Sequence, residues 1–307
     1  MKKYIIKVFL FFIIFLGGLL LLIAVMPKSE KSTFYLSNLK MELLKKTPSP
    51  RIIFISGSSI FMGVNSERIA DSLKMNVVNF AHHAGAGLKY IMDDALPYIR
   101  KGDIVVISPE YPQFYEKTAY GNSALASILY FNGLRSIETL NTEQWINVIS
   151  SLPSILNVNV LEMLLPGKTK DQPFAIDRVN RYGDEVAHWK IKTDGSDVVL
   201  SASKDSVPFN ENFFDYFVKQ VKNMQSRGAK VMIVPSVIRE TAFKYEKQRA
   251  YEIDKRLREN GLSYYSKPEQ HVQPDSCAWD TDYHMNAIGV ERNTDVLIKD
   301  LLEFVKK

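Results

Sequence analysis

Residues 51–59 read Arg-Ile-Ile-Phe-Ile-Ser-Gly-Ser-Ser, an apolar run that ends in a turn of small residues. A continuous apolar run of this length predicts a strand that is buried on both faces, as in a parallel sheet. Shorter apolar runs follow at 76–80, 104–107, 229–234 and 262–265. Helical patterns separate them, at 66–73, 88–99, 213–227, 244–260 and 290–305. Strands that alternate with helices in this way predict an α/β fold.

The alternation predicts a flavodoxin-like fold of three layers, in which helices cover both faces of a mostly parallel, five-stranded sheet. It stops between about 115 and 209, a segment too long for a simple loop in a compact domain. This segment contains apolar stretches at 124–131 and 145–165. We therefore predict a helical insert, which is either a lid over a site or a structural buttress without contact to substrate.

The N-terminal region contains 19 successive residues, Val8 to Met26, without a charge or a proline. As a helix this run would span ~28 Å, close to the hydrocarbon thickness of a bilayer. A cleaved signal peptide is the alternative, but its apolar core is usually shorter and ends in an Ala-x-Ala-like site. Here the run ends in Ala-Val-Met-Pro at 24–27. The pattern favours an uncleaved transmembrane helix.

The charges around this run suggest how the chain is oriented. Basic residues in the tail at 1–7 favour a cytoplasmic N-terminus, with the globular part outside the cytoplasm. Lysines in the polar linker at 27–50 weaken the charge bias, but large domains translocate largely regardless of charge. We therefore predict a single-pass membrane protein whose extracytoplasmic domain covers 51–307.

The composition excludes several classes of protein. Of the 307 residues, 46% are hydrophobic, which is enough for a substantial core and excludes wholesale disorder. The formal net charge is +5, to which Lys2, Lys3 and Lys7 contribute three units. The near-neutral remainder argues against nucleic acid as a partner. The single cysteine, Cys277, excludes an internal disulfide framework and a cysteine-based zinc cluster.

Ser59 is the candidate nucleophile. Ligands of an open parallel sheet collect outside the carboxyl ends of its strands, and Ser59 directly follows the first predicted strand. A hydroxyl is a poor nucleophile until a base takes its proton. The alternative interpretation is that Gly-Ser-Ser at 57–59 forms only a turn.

The candidate base is His284, in the stretch Asp-Thr-Asp-Tyr-His-Met-Asn-Ala-Ile-Gly at 280–289. An imidazole titrates near neutrality and passes the proton on to a leaving group. A carboxylate must hold its other ring nitrogen, and the spacings of Asp280 and Asp282 do not decide between them. A histidine beside aspartates is more often a surface hydrogen-bonding group. A catalytic role therefore requires that the loop of His284 and the loop of Ser59 meet at one edge of the sheet.

Two short motifs resemble those of a known superfamily. Gly-Ser-Ser-Ile at 57–60 is similar to the first sequence block of the SGNH (GDSL-like) hydrolases, and 280–289 is similar to their last block. The resemblance covers 51–114 and 221–307 and leaves the middle of the chain unmatched. It is strongest to membrane-anchored members that act on bacterial cell-surface polymers, and it extends distantly to the D-alanine-transfer protein of teichoic-acid modification.

The resemblance implies roles for the residues of both motifs. Ser59 takes the position of the nucleophile and His284 that of the base. The aspartate of the superfamily usually lies three residues before the histidine, where this chain has Thr281. Anchored relatives often show the spacing of Asp280, which is therefore the expected orienter, with Asp282 as the reserve.

The resemblance also implies an oxyanion hole, a set of donors placed where negative charge develops. The amides of Ser59 and Gly85 are the expected donors. The third block of the superfamily carries an asparagine, but this chain reads Ser-Pro-Glu-Tyr at 108–111. Apart from the resemblance, Glu110 and His83 are candidates for contact with substrate; the alternatives are that Glu110 caps a helix and that His83 has a structural role. No pattern of metal ligands is visible in the sequence, and neither a metal nor a cofactor is expected.

These expectations lead to two alternative functions. The first is an acyl-ester hydrolase or O-acyltransferase that acts on a cell-surface polysaccharide or related polymer. Its partners would be the membrane and a membrane-bound protein that donates the acyl group. The second is a catalytically inactive SGNH-like binding or scaffold component of a polymer-modification or export complex, which the absence of the third-block asparagine supports.

Overall fold

The computed structural model describes residues 33–115, 117–164, 178–201 and 207–306, together with 3, 4, 6–11, 14, 17 and 18. Most of the predicted transmembrane run (12, 13, 15, 16 and 19–26) and the first part of the predicted linker (27–32) lie outside the described residues. Among the residues that are described, no helix has the length and apolar character needed to cross a bilayer.

The centre of the molecule is a four-stranded parallel sheet. Its strands are β1 (Arg51–Ser56), β2 (Asn76–Asn79), β3 (Ile104–Ser108) and β4 (Lys230–Ile233). They lie in the order β2-β1-β3-β4, and every neighbouring pair is parallel. The predicted α/β class with a mostly parallel sheet is therefore confirmed. A separate pair of short parallel strands is formed by β5 (Ile238–Arg239) and β6 (Val272–Gln273).

The prediction of a fifth strand at 262–265 was wrong. Tyr264 makes only an isolated parallel bridge with Ile233, at the edge of β4. The Tyr265 amide donates to Ile233 O at 2.7 Å, and the Tyr264 amide, on the other edge of the segment, donates to Asp254 Oδ1 at 2.9 Å. The sheet therefore ends at β4.

Helices surround the sheet. Their bounds are α1 (Leu36–Lys46), α2 (Ser58–Phe61), α3 (Ser66–Leu73), α4 (Leu88–Ala95), α5 (Ser123–Phe131), α6 (Thr142–Leu164), α7 (Glu211–Ser226), α8 (Glu240–Glu259) and α9 (Ala287–Lys306). Asparagine caps begin several of them. Asn65 accepts the Arg68 amide at 3.2 Å, and Asn210 accepts the Phe213 amide at 3.0 Å, which satisfies helix donors that have no intrahelical partner.

Two hydrophobic cores lie on opposite faces of the sheet. Alternate residues of β1 enter each core, because successive side chains of a strand point to opposite faces. Ile53 and Ile55 belong to one core, with residues of α4, α7 and α8. Ile52 and Phe54 belong to the other, with residues of α3 and α9. Burial on both sides explains why this strand is a continuous apolar run.

The predicted insert is closed at its base by an antiparallel bridge between Tyr115 and Phe209. It contains α5 and α6, which pack against each other. The first described residues of the globular part pack on α5: the rings of Phe34 and Phe131 stack at 6.5 Å, and Asn38 Nδ2 donates to Phe131 O at 3.1 Å. Residues 165–177 and 202–206 of the insert lie outside the described residues.

A buried lysine joins α1 to the sheet and to the insert. Lys40 Nζ donates to Asn79 O at 2.9 Å and to Gly183 O at 2.7 Å, and it lies 4.2 Å from the ring centre of Phe61. Burial lowers the pKa of Lys40 to about 7, although the nearby Asp184 carboxylate partly opposes this shift.

We expect this lysine to make stability depend on pH. Because the pKa of Lys40 falls from 10.5 to about 7 on folding, the folded state binds fewer protons than the unfolded state in that window. The free energy of unfolding therefore rises with pH across it, by up to ~1.4 kcal/mol per pH unit from this group. Lys40→Met should remove that slope in urea titrations between about pH 7 and about pH 9.

The control is Lys46→Met, on the exposed side of the same helix, which should retain the wild-type slope. Equal slopes for wild type and Lys40→Met would contradict a shifted pKa at this position.

A second buried cation holds the start of β1. Arg51 is completely buried and pairs with Asp103, with Nη2 3.3 Å from Oδ2. Its guanidinium also donates to the carbonyl oxygens of Leu44, Thr47 and Tyr98. Arg51 thus connects α1, β1 and the segment before β3.

Candidate active site

The candidate residues gather where the parallel strands end. Ser59 lies in α2, directly after β1, and Glu110 follows β3. His83 and Gly85 follow β2. The register pairs Ser56 with Ser108, so the ends of β1 and β3 are level. These loops therefore meet at the carboxyl edge of the sheet, where ligands of open α/β folds bind.

The Ser59 side chain is buried, and its hydroxyl is hydrogen-bonded to another serine of the chain. Its Oγ lies 3.1 Å from Ser56 Oγ, and Ser56 Oγ in turn donates to Ser108 O. Within the described part of the chain, the Ser59 hydroxyl makes no hydrogen bond with His284. An attack by this hydroxyl therefore requires it to leave Ser56 and turn toward the histidine.

His284 is held by Asp280. Asp280 Oδ1 lies 2.6 Å from His284 Nδ1, and the aspartate side chain is 43% exposed. The His284 amide donates to Thr281 Oγ1 at 3.1 Å, which shapes the turn between the two residues. The Trp279 ring stacks on the imidazole with 6.4 Å between ring centres. This geometry orients the ring through Nδ1 and directs the proton chemistry to Nε2.

Asp282, the reserve orienter, has other partners. Its carboxylate accepts Arg239 Nε at 2.7 Å and both the amide and the hydroxyl of Ser201 at 2.7 Å. The Arg239 amide also donates to Asp282 O at 3.0 Å. Asp282 is therefore part of a buried ion pair that joins β5 to the insert.

A second histidine–carboxylate pair supports the His284 loop. His188 Nδ1 contacts Glu185 Oε2, and His188 Nε2 lies 3.0 Å from Met285 O. The His188 ring is 5.0 Å from Trp279, which stacks on His284. Glu185 and His188, at the end of the polar stretch 180–188, thus form a buried pair, for which the only signal in the sequence is the Glu-x-x-His spacing.

Glu110 occupies the position beside the nucleophile. It is 7% exposed, and its Oε1 accepts the Ser59 amide at 2.9 Å and the Ser58 hydroxyl at 3.3 Å. A Cβ at Gly57 would lie 2.6 Å from the same oxygen, so a side chain there would displace the carboxylate. Burial raises the pKa of Glu110, while the hydrogen bond from the Ser59 amide and the charge of His284 oppose the shift.

Both expected oxyanion donors have partners in this structure. The Ser59 amide donates to Glu110, as above, and the Gly85 amide donates to His83 Nδ1 at 3.0 Å. Glu110 and His83, the two side chains expected to contact substrate, therefore accept hydrogen bonds from the two amides expected to bind the oxyanion. The sequence contains no signal for either contact.

A cavity of about 820 Å³ opens beside these side chains. One wall is the strand edge, with His83, Gly85 and Glu110. The other wall belongs to the insert and offers Lys117, Thr118, Asn122 and Asn147. The insert therefore contributes directly to the cavity next to the candidate site, and it supplies mainly uncharged polar groups.

Comparison of the chain with profiles of known protein families, with curated proteins and with solved structures finds no match. The resemblance of 57–60 and 280–289 to the SGNH superfamily therefore depends on the two motifs and on the edge of the sheet at which they lie.

Proposed function

We propose that this chain is a serine esterase or O-acyltransferase of SGNH type that acts on a cell-surface polysaccharide or related polymer. One observation carries the proposal: His284, held by Asp280 at 2.6 Å, interacts electrostatically with Glu110, whose Oε1 accepts the amide of Ser59 at 2.9 Å. The proposed nucleophile Ser59, base His284 and orienting carboxylate Asp280 therefore lie around Glu110. The strand order β2-β1-β3-β4 matches the first four strands of a flavodoxin-like sheet, which supports the finer fold assignment.

The proposed reaction proceeds through an acyl-enzyme. Asp280 keeps the proton of His284 on Nδ1, so Nε2 accepts the proton of the Ser59 hydroxyl as its Oγ attacks the acyl carbonyl. The imidazolium then returns the proton to the departing alcohol. Water or a hydroxyl group of the acceptor releases the acyl group in the second half, with His284 again as the base.

The cavity suggests the class of substrate. The described part of its insert wall offers amide and hydroxyl groups from Thr118, Asn122 and Asn147 and one cation, Lys117. Neutral donors and acceptors of this kind suit a polymer that is rich in hydroxyl groups. A membrane anchor at 8–26, with the domain outside the cytoplasm, would place this cavity near envelope polymers and near a membrane-bound acyl donor.

A scaffold function is the second candidate. The Ser59 side chain is buried, and the amides of Ser59 and Gly85 both donate to side chains of the same chain. A site that stays in this state offers neither amide to an oxyanion, and the protein would then serve as a binding component of a polymer-modification or export complex.

Labelling by a fluorophosphonate separates the two candidates, because only an activated serine reacts readily with it. The full chain in detergent is treated with the probe, and the adduct is located by mass spectrometry. We expect one adduct on the peptide that contains Ser59, none in Ser59→Ala, and retained labelling in the control Ser72→Ala, at an exposed position of α3. A wild-type protein that melts cooperatively but takes no label would contradict the enzyme proposal and favour the scaffold.

A further inference from the structure

Glu110 stands where the expected asparagine of an oxyanion hole is missing. It follows the end of β3, and its Oε1 reaches the Ser59 amide at 2.9 Å. The Ser58 hydroxyl donates to the same oxygen at 3.3 Å. Because both bonds end on Oε1, a proton on Oε2 would leave both of them intact. The side chain can therefore accept from the nucleophile loop and donate toward the cavity at the same time.

The charges around Glu110 favour a neutral carboxyl group. Among the described residues, Glu110 forms no salt bridge with a lysine or an arginine, and a buried ionised carboxylate without such a partner is costly. The groups that face it are the hydroxyls of Ser58 and Ser59 from α2, the imidazole of His284 and the buried phenol of Tyr283 from the same loop. His83 and Lys117 line the same cavity, and Lys117 pairs with Glu143.

We infer that Glu110 is a catalytic residue: its protonated carboxyl group donates a hydrogen bond from Oε2 to the oxyanion, while Oε1 accepts the Ser59 amide. The inference rests on the proposed acyl-transfer function. As Ser59 Oγ bonds to the carbonyl carbon, its proton passes to His284 Nε2 and the carbonyl π electrons move to the oxygen. Collapse of the tetrahedral species returns that electron pair and expels the alcohol, which takes the proton from His284. Glu110 keeps its own proton throughout.

This arrangement stabilises the oxyanion through a chain of two hydrogen bonds. The Ser59 amide polarises the carboxyl group through Oε1, which strengthens the donor at Oε2, as successive hydrogen bonds do in a low-dielectric site. A carboxylic acid that its surroundings keep neutral is an effective oxyanion donor in other enzymes. The segment 108–111, Ser-Pro-Glu-Tyr, contains no asparagine, and Glu110 supplies the hydrogen-bond donor in its place.

The test measures the rate constant for fluorophosphonate labelling of Ser59 in the full chain as a function of pH. In wild type the rate should fall as rising pH ionises Glu110. Glu110→Gln keeps a donor and an acceptor that do not titrate, so this alkaline fall should disappear and the rate should drop by about tenfold or less. Glu110→Ala should label ~10²–10³-fold more slowly, the usual effect of removing one oxyanion donor. Glu67→Gln, on the exposed surface, controls for the loss of one carboxylate and should follow wild type.

Two results would overturn this role while leaving the proposed function in place. If Glu110→Ala labels as fast as wild type or faster, the side chain blocks the site rather than assisting it. If Glu110→Gln and Glu110→Ala are equally slow and wild type shows no alkaline fall, Glu110 is only structural. Absence of labelling in folded wild type at every pH would instead remove the proposed function, and the role of Glu110 with it.

Discussion

Asp280→Asn is expected to lower kcat/KM for an activated ester by about 10⁴-fold while the protein stays folded. The carboxylate holds His284 Nδ1 at 2.6 Å, and an asparagine removes the charge that stabilises the imidazolium and no longer selects the correct tautomer. Because the Asp280 side chain is 43% exposed, its replacement leaves no buried charge without a partner. The measurement is ester turnover beside a thermal melt.

The matched variant is Asp282→Asn. It removes one charge two positions away, but from a buried pair with Arg239. Breaking a buried pair leaves its partner uncompensated, so this variant should melt at a lower temperature and retain turnover below that temperature. The reverse pattern, with activity lost in a stable Asp282→Asn and kept in Asp280→Asn, would make Asp282 the orienter.

Arg51→Met is expected to lower the free energy of unfolding by ~3–5 kcal/mol. The substitution leaves the Asp103 carboxylate buried without its cation, since both side chains are 0% exposed. It also removes donors from the carbonyl groups of Leu44, Thr47 and Tyr98. Urea unfolding measures the change, and Arg51→Lys, which keeps a charge but not the planar fork, should lie between wild type and Arg51→Met.

Arg68→Met is the control for an ion pair at the surface. Arg68 is 39% exposed and pairs with Glu291 and Asp295 across α3 and α9. Solvent screens such pairs, so its loss should cost ~1 kcal/mol or less. Similar unfolding midpoints for Arg51→Met and Arg68→Met would show that burial does not strengthen the Arg51 network.

The parts of the fold that depend on local pattern were predictable from the sequence. The strand at 51–56 is buried on both faces, and a strand in that position has a continuous apolar run instead of alternating apolar and polar residues. The helix predicted at 88–99 ends as an α-helix at Ala95, and a 3₁₀ turn with Pro97 follows. The predicted fifth strand is reduced to one bridge, in which the Tyr265 amide donates to Ile233 O, because a local apolar pattern does not specify how far pairing with the neighbouring strand extends.

The candidate site was predictable only in its parts. Ser59 and His284 follow from residue type and position after predicted elements, but their partners depend on tertiary contacts. The hydrogen bond from the Ser59 amide to Glu110 joins residues 51 positions apart in the sequence. It requires the strand register that pairs Ser56 with Ser108. The different partners of Asp280 and Asp282 depend on where Arg239 lies, which no local pattern specifies.

The packing of Phe34 on α5 limits how far the globular part could lie from a bilayer that contains 8–26. Six residues, 27–32, lie between the predicted bilayer span and the first described residue of the globular part. Even a fully extended tether of this length covers only about 25 Å. The Phe34 ring also lies edge-on to the imidazole of His83, with 6.4 Å between ring centres, and His83 lines the cavity, so the chain enters the globular part beside the cavity. If 8–26 spans a bilayer, the cavity would therefore lie close to the lipid surface, and only molecules at that surface would reach it.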